Sequence, residues 1–116
     1  MASDAALEDK ATKAALQDYL GRITQAQLWA GQHQDEWSKV WAEQTGLSPE
    51  VTLAAAKQRP VSVVPIDQDV IDSEQEMADA FTANDLLPGS VNVSDYFTDE
   101  FNDYIAEQAE KNGGAA

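Results

Sequence analysis

The run VSVV, Val61–Val64, stands between Pro60 and Pro65. Proline donates no hydrogen to a strand ladder and pushes the residue before it out of the helical region. A central strand is therefore disfavoured here, and Arg59 to Ile66 read as an extended connector, edge-paired at most. The sequence on either side of the connector is patterned for helices.

Before the connector, apolar residues recur at helical spacing from Asp9 to Ala30, with Leu16, Tyr19, Leu20, Ile23, Ala26, Gln27 and Ala30 on one stripe. Asp9 suits the N-cap, Ser3-Asp4 can open a short preceding turn, and Gly31 is the expected stop. Gly21 inside this pattern costs about 1 kcal/mol against Ala, so close packing or a kink is expected there. A second helix is predicted from Gln34 to Thr45, with Trp37, Val40 and Trp41 on one face and Gly46 as its terminator. Ser48-Pro49 then reads as N-cap and first helical residue, opening a short helix to Gln58 with Val51, Ala54 and Ala55 inward.

After the connector, Asp67 caps a helix from Gln68 to Ala83, and Ile66 with Ile71 can form a hydrophobic staple. Its predicted inward stripe is Val70, Ile71, Met77, Ala78 and Phe81. Leu86 and Leu87 are expected to plug the core before Pro88-Gly89 turns the chain. Val91 and Val93 alternate with polar residues in a short extended piece, and Thr98 caps a last helix that turns Phe101, Tyr104 and Ile105 inward. The tail EKNGGAA is expected to fray. The fold class is thus mainly all-α: five helices with one or two short extended segments. They form a single helical domain over residues 1–112, with a flexible tail at 113–116.

Seven basic residues stand against 21 acidic ones in 116, a net charge of −14. That excludes phosphate-backbone binding, which needs clustered Lys and Arg, and it opposes docking on anionic membranes. The hydrophobic share of 43% is ordinary for a globular chain, so wholesale disorder is not expected. No cysteine is present, which removes disulfides, thiolate metal sites and Cys nucleophiles. No apolar run reaches the ~18 residues of a membrane span, so no membrane insertion is expected. MASDAALEDK has neither the basic nor the apolar region of a signal peptide, so the chain as written is expected to stay in the cytoplasm.

The sequence does not specify catalytic machinery. The one histidine, His33, reads as an exposed loop residue around which neither a triad nor a zinc site can be assembled. Asp67, Asp69, Asp72, Glu74, Glu76 and Asp79 begin like a calcium loop, but Asp72 falls one residue late and no glycine makes the sharp turn. Capping, the helix dipole and a solvated face account for them, and no metal is expected. Trp29, Trp37 and Trp41 could line a pocket for a ring or a cation, although their helical spacing favours a core role. The reading is a non-enzyme without a cofactor.

Several segments in order resemble one family. QAQLWAGQHQDEWSKVWAEQTGLSPEV, VPIDQDVIDSEQEMADAF, DLLPGSVNVSDYF and FN are similar to the C-terminal part of the substrate-binding proteins of ABC importers for aliphatic sulfonates, taurine and nitrate. The shared pattern includes Trp29 and Trp41, Pro65, Gln75, Ala78, Asp79, Phe81, Leu87-Pro88, Val91 and Val93, and extends over about residues 5 to 103. Asn84-Asp85 stands where such proteins often carry a glycine. The resemblance implies a truncated or C-terminal segment, equivalent to the C-terminal helical portion of a type II periplasmic-binding fold without its two α/β lobes. It implies a non-catalytic role in capturing a small organic sulfonate or related anion and delivering it to an ABC permease. Intact proteins of that family are periplasmic or at the cell surface. No ligand-binding residue carries over.

Helices shaped to lie on a sheet present an apolar surface when that sheet is not part of the chain. Such a surface must turn inward, pair with another copy in a homo-oligomer or meet a partner. Tyr96, Phe97, Phe101 and Ile105 are the candidate interface residues. The rival reading is a free-standing helical protein-interaction or homodimerisation module without a small-molecule ligand.

Overall fold

The computed structural model describes residues 2–58 and 61–114. Arg59 and Pro60 of the expected connector, and 115–116 of the expected tail, lie outside them. The protein is mainly α-helical, and no strand occurs among the described residues. Six α-helices and one 3-10 turn follow in order: α1 Asp4–Glu8, α2 Lys10–Gln32, α3 Gln34–Thr45, α4 Pro49–Gln58, α5 Gln68–Ala83, the turn Val93–Tyr96, and α6 Asn102–Lys111. The sixth helix is α1, which the sequence offered only as a turn. The chain divides into two compact units, one of Met1–Val63 with Tyr104–Ala116 and one of Val64–Asp103.

Local capping fixes the helix ends. The Ser3 side chain accepts from the Ala6 amide at 3.3 Å, Asp9 from Thr12 at 2.8 Å and Asp67 from Val70 at 3.1 Å. Each satisfies an amide that has no partner inside its helix. Hydrogen bonds from the Thr12 side chain and backbone hold the Asp9 carboxyl below its ordinary value. Gly46, at φ 73°, ends α3 in the left-handed region that glycine adopts without a Cβ penalty. Gly31 does not end α2, which runs one residue further to Gln32 and hands over to α3 at His33.

Two helices close with the same six-residue C-terminal motif. After α5, Leu86 N–H donates to Phe81 C=O at 2.9 Å and Asp85 N–H to Thr82 C=O at 3.1 Å. After α6, Gly114 N–H donates to Ala109 C=O at 2.8 Å and Gly113 N–H to Glu110 C=O at 3.2 Å. Both are Schellman closures, which place one residue in the left-handed region. That residue is Gly113 at φ 74° in one case and Asp85 at φ 57° in the other. Gly113 and Gly114, which the sequence assigns to the tail, make the closing hydrogen bonds of α6.

In the first unit the buried row of α2 is Gly21, Thr24 and Leu28, not the bulkier stripe through Tyr19, Ile23 and Ala26. Small residues allow closer approach: a Cβ at Gly21 would lie 2.6 Å from the Tyr104 hydroxyl. The pairing of α3 with α4 follows the same rule. Ser38, Ala42 and Thr52 are buried there, while Trp37, Val40 and Val51 stay exposed beside the contact. The expected inward sets of these helices are therefore turned by part of a revolution, because the small side chains take the closest approach.

The second unit has only two buried apolar side chains, Val93 and Phe101. Contrary to expectation, Met77, Phe81 and Leu86 are exposed, and α5 has no buried residue. Side-chain amides join its segments instead. Gln75 Oε1 accepts from Val93 N–H at 2.9 Å, and Gln75 Nε2 donates to Val91 C=O at 2.9 Å. Asn102 does the same for Ile66, accepting its N–H at 3.0 Å and donating to its C=O at 2.9 Å. Val93 lies in the 3-10 turn rather than in an extended piece. Thr98 accepts from the Glu100 amide at 3.3 Å in a turn through Glu100 and Phe101, and α6 begins directly after it at Asn102.

Candidate functional site

The helices α2, α3 and α4 meet around one recess of the first unit. His33 joins α2 to α3. Its Nδ1 lies 2.9 Å from the Trp29 carbonyl, and its ring stacks on Trp29 at 4.9 Å with 14° between planes. His33 is the single non-helical residue between the two helices, the loop position the sequence suggested, and it is half-buried rather than fully exposed. The His33 carbonyl accepts the Glu36 and Trp37 amides, so the first turn of α3 is already supplied from the backbone.

Along α3, Trp37 and Trp41 sit one turn apart with ring centroids 6.4 Å from each other. Helix α4 is fixed beside them by its own cap and by Thr52. The Ser48 hydroxyl accepts from the Val51 amide at 3.4 Å, and the fully buried Thr52 hydroxyl donates to the Ser38 carbonyl at 2.8 Å. Between them lies a cavity of about 150 Å³ with Trp37 and Trp41, Ala55 and Ala56, and Gly31 and Gln34 in its wall. A cavity of that order holds a benzene-sized apolar group. Gln34 supplies the polar lining side chain, and no Lys or Arg lines the wall. Asp35 and Glu36 occupy the first turn of α3, where negative side chains oppose an anion at that helix end. The recess suits the hydrocarbon part of a ligand and offers no positive group to its head. A second hollow shares Gly31, Gln34 and Val61 with it and extends past Leu28 to Gly113 and Gly114.

The acidic residues singled out in the sequence lie apart from this recess in the chain, on α5 of the other unit. Asp67 is a cap, Asp72 accepts from Gln68 Nε2 at 2.7 Å and Asp79 from Gln75 Nε2 at 2.8 Å. Among the described residues no three His, Cys, Asp or Glu converge on a metal-sized site. Nor is any helix among them long and apolar enough to cross a membrane.

The four candidate interface residues take different positions. Tyr96 is exposed, Phe97 and Ile105 are half-buried, and Phe101 is buried. Phe101 thus belongs to the small core of its unit, and Ile105 to the other unit. Gln75 and Asn102 carry structural duties that sequence reasoning missed. The available signal was Gln75 itself, a polar side chain on the helix flank between Ile71 and Ala78. No family model, curated protein or solved structure matches this chain.

Proposed function

We propose that this chain is the C-terminal helical segment of a non-catalytic solute-binding protein of an ABC importer for aliphatic sulfonates or related small anions. One observation carries the reading. The first unit leaves Trp29, Trp37, Val40 and Val51 exposed, and Trp37 with Trp41 walls an apolar recess. Burying aromatic and branched side chains yields about 1.5–3 kcal/mol each, so such a face is stable in water only at a loss and fits a covering surface. In the proposed setting that surface is a lobe of the intact binding protein, and Trp29 and Trp41 are among the residues that carry the resemblance. The recess takes the hydrocarbon end of the solute. The anionic head is held by groups of the lobes, since the recess wall holds no cation. Capture is reversible, uses no cofactor and takes place outside the membrane, before delivery to the permease.

A chimera tests the reading. This chain replaces the C-terminal helical segment of a sulfonate-binding protein of that type, and thermal unfolding is followed with millimolar taurine, ethanesulfonate or nitrate. The expected result is a soluble chimera stabilised by one of these anions, by about 2.7 kcal/mol at a hundredfold excess over Kd. A chimera that fails to fold beside a well-folded parent, or that folds and responds to no anion, overturns the proposal.

A further inference from the structure

The second unit carries a feature that solute capture does not use. Between Val64 and Asp103 there are eleven Asp and Glu residues and no Lys, Arg or His. Helix α5 distributes its side chains over three faces. Ile71, Gln75, Ala78 and Thr82 face the following segment, to which Gln75 and Thr82 hydrogen-bond through Val91, Val93 and Gly89. Asp69, Asp72, Glu76 and Asp79 recur on a second, solvated face. On the third, Val70, Glu74, Met77 and Phe81 follow one another at spacings of four, three and four, which aligns them in one row.

Apart from Glu74 that third row is apolar, and its C-terminal half is uncovered. Met77 is 48% exposed and Phe81 45%. The Schellman closure returns Leu86, 68% exposed, to its C-terminal end through the hydrogen bond to the Phe81 carbonyl. At its N-terminal end Val70 opens into a shallow groove of about 470 Å³, whose walls include Val64 and Pro65 together with Asp67, Asp69 and Glu74. From Val70 to Phe81 the row is about 17 Å long, the length of three helical turns.

The charge identifies the occupant. A second copy laid on this row would bring two acidic faces together, and like charges across an interface are strongly unfavourable. A metal ion needs converging ligands, and the carboxylates here are spread along the helix instead. Nucleic acid and anionic lipid carry the wrong sign. A solvated acidic face alone has no use for Met77, Phe81 and Leu86 in line. We propose that the α5 row is a docking surface for a basic amphipathic helix of a protein partner. The partner's apolar side chains lie on Val70, Met77 and Phe81, its aliphatic stem fills the Val64–Pro65 groove, and its Lys and Arg reach the flanking carboxylates.

The test uses the full chain and a fluorescein-labelled amphipathic Leu–Lys peptide of three to four helical turns, read by fluorescence anisotropy at low and physiological salt. An all-Lys peptide of equal charge is the control. Saturable binding is expected at both salt concentrations, at least tenfold tighter than for the all-Lys peptide. Met77→Gln with Phe81→Gln should weaken it tenfold or more, and both positions are exposed and accept a good helix former. Asp69→Asn with Glu76→Gln should weaken it and flatten its salt dependence, with the far-ultraviolet circular dichroism unchanged. Equal binding of the two peptides, or indifference to the Met77 and Phe81 changes, would reduce the surface to diffuse charge and overturn the proposal. So would sedimentation showing that the row is covered by a second copy.

Discussion

Gly21 offers the sharpest test of how the first unit is assembled, because two effects of known size oppose each other there. It lies inside the 23-residue helix α2. Ala at such a position is favoured over Gly by about 1 kcal/mol. The Cβ of that Ala would stand 2.6 Å from the Tyr104 hydroxyl and 3.1 Å from two ring carbons, Cε1 and Cζ. The hydroxyl contact is closer than van der Waals radii permit, so the ring must withdraw. Overpacking of this kind costs about 1–3 kcal/mol. Taking the middle of that range, Gly21→Ala should destabilise the protein by about 1 kcal/mol net. With Tyr104→Leu the obstruction is gone, and the same substitution should stabilise by about 1 kcal/mol. The coupling is then about 2 kcal/mol, well inside what contacting residues show in double-mutant cycles. Urea unfolding of the four proteins, followed by circular dichroism, measures it. If Gly21→Ala stabilises the wild-type chain as much as the Tyr104→Leu chain, small-residue packing does not decide which face of α2 is buried.

Three further outcomes are expected. Asp85→Gly should stabilise by about 1 kcal/mol, since Asp85 sits at φ 57°, where a Cβ is strained, and a negative charge at a helix C-terminus is unfavourable; a higher midpoint in thermal unfolding checks it. Asn102→Ala removes both hydrogen bonds to Ile66 and should destabilise by about 2 kcal/mol, with faster amide exchange at Ile66 as the local readout. Asp9 has a depressed folded value, so its stabilising effect is present above the ordinary carboxyl value of 3.8 and is lost as pH falls through the folded value. The stability difference between wild type and Asp9→Asn, which caps at any pH, should therefore move in favour of Asn as pH falls below about 4.

Helix ends were legible and helix faces were not, for a physical reason. Caps are local chemistry: α2, α4 and α5 begin just after Asp9, Ser48 and Asp67, and α3 ends just before Gly46, while the end of α2 and the start of α6 fall a few residues from Gly31 and Thr98. Which face turns inward depends on what each helix meets. Hydrophobic size pointed to Trp37, Val40 and Val51, whereas the closest approach fell to Ser38, Ala42 and Thr52. Apolar character in α5 pointed to Met77 and Phe81, but a side-chain amide set its orientation, and Gln75 can serve two backbone groups only from the opposite flank. The same limit applied to the recess. Trp37 and Trp41 were visible as a pair, but the small residues from α2 and α4 that complete the wall are ordinary in sequence. The Asn84-Asp85 departure, by contrast, was visible in the chain, and its meaning became clear only with the left-handed φ that the closure of α5 demands.

The two units hold themselves together by different means, and the difference bears on what each can do. Helix pairs in the first unit approach closely through Gly, Ser, Ala and Thr, which leaves the large side chains free to face outward around a recess. The second unit keeps Val93 and Phe101 as its buried apolar pair and relies on Gln75 and Asn102 to tie its segments by paired hydrogen bonds. Such bonds are directional and individually modest, about 1 kcal/mol each. They fix the rotation of α5 about its axis while leaving Met77 and Phe81 exposed. A helix held in that way keeps one apolar row and one charged face available at once, and a docking surface requires that combination.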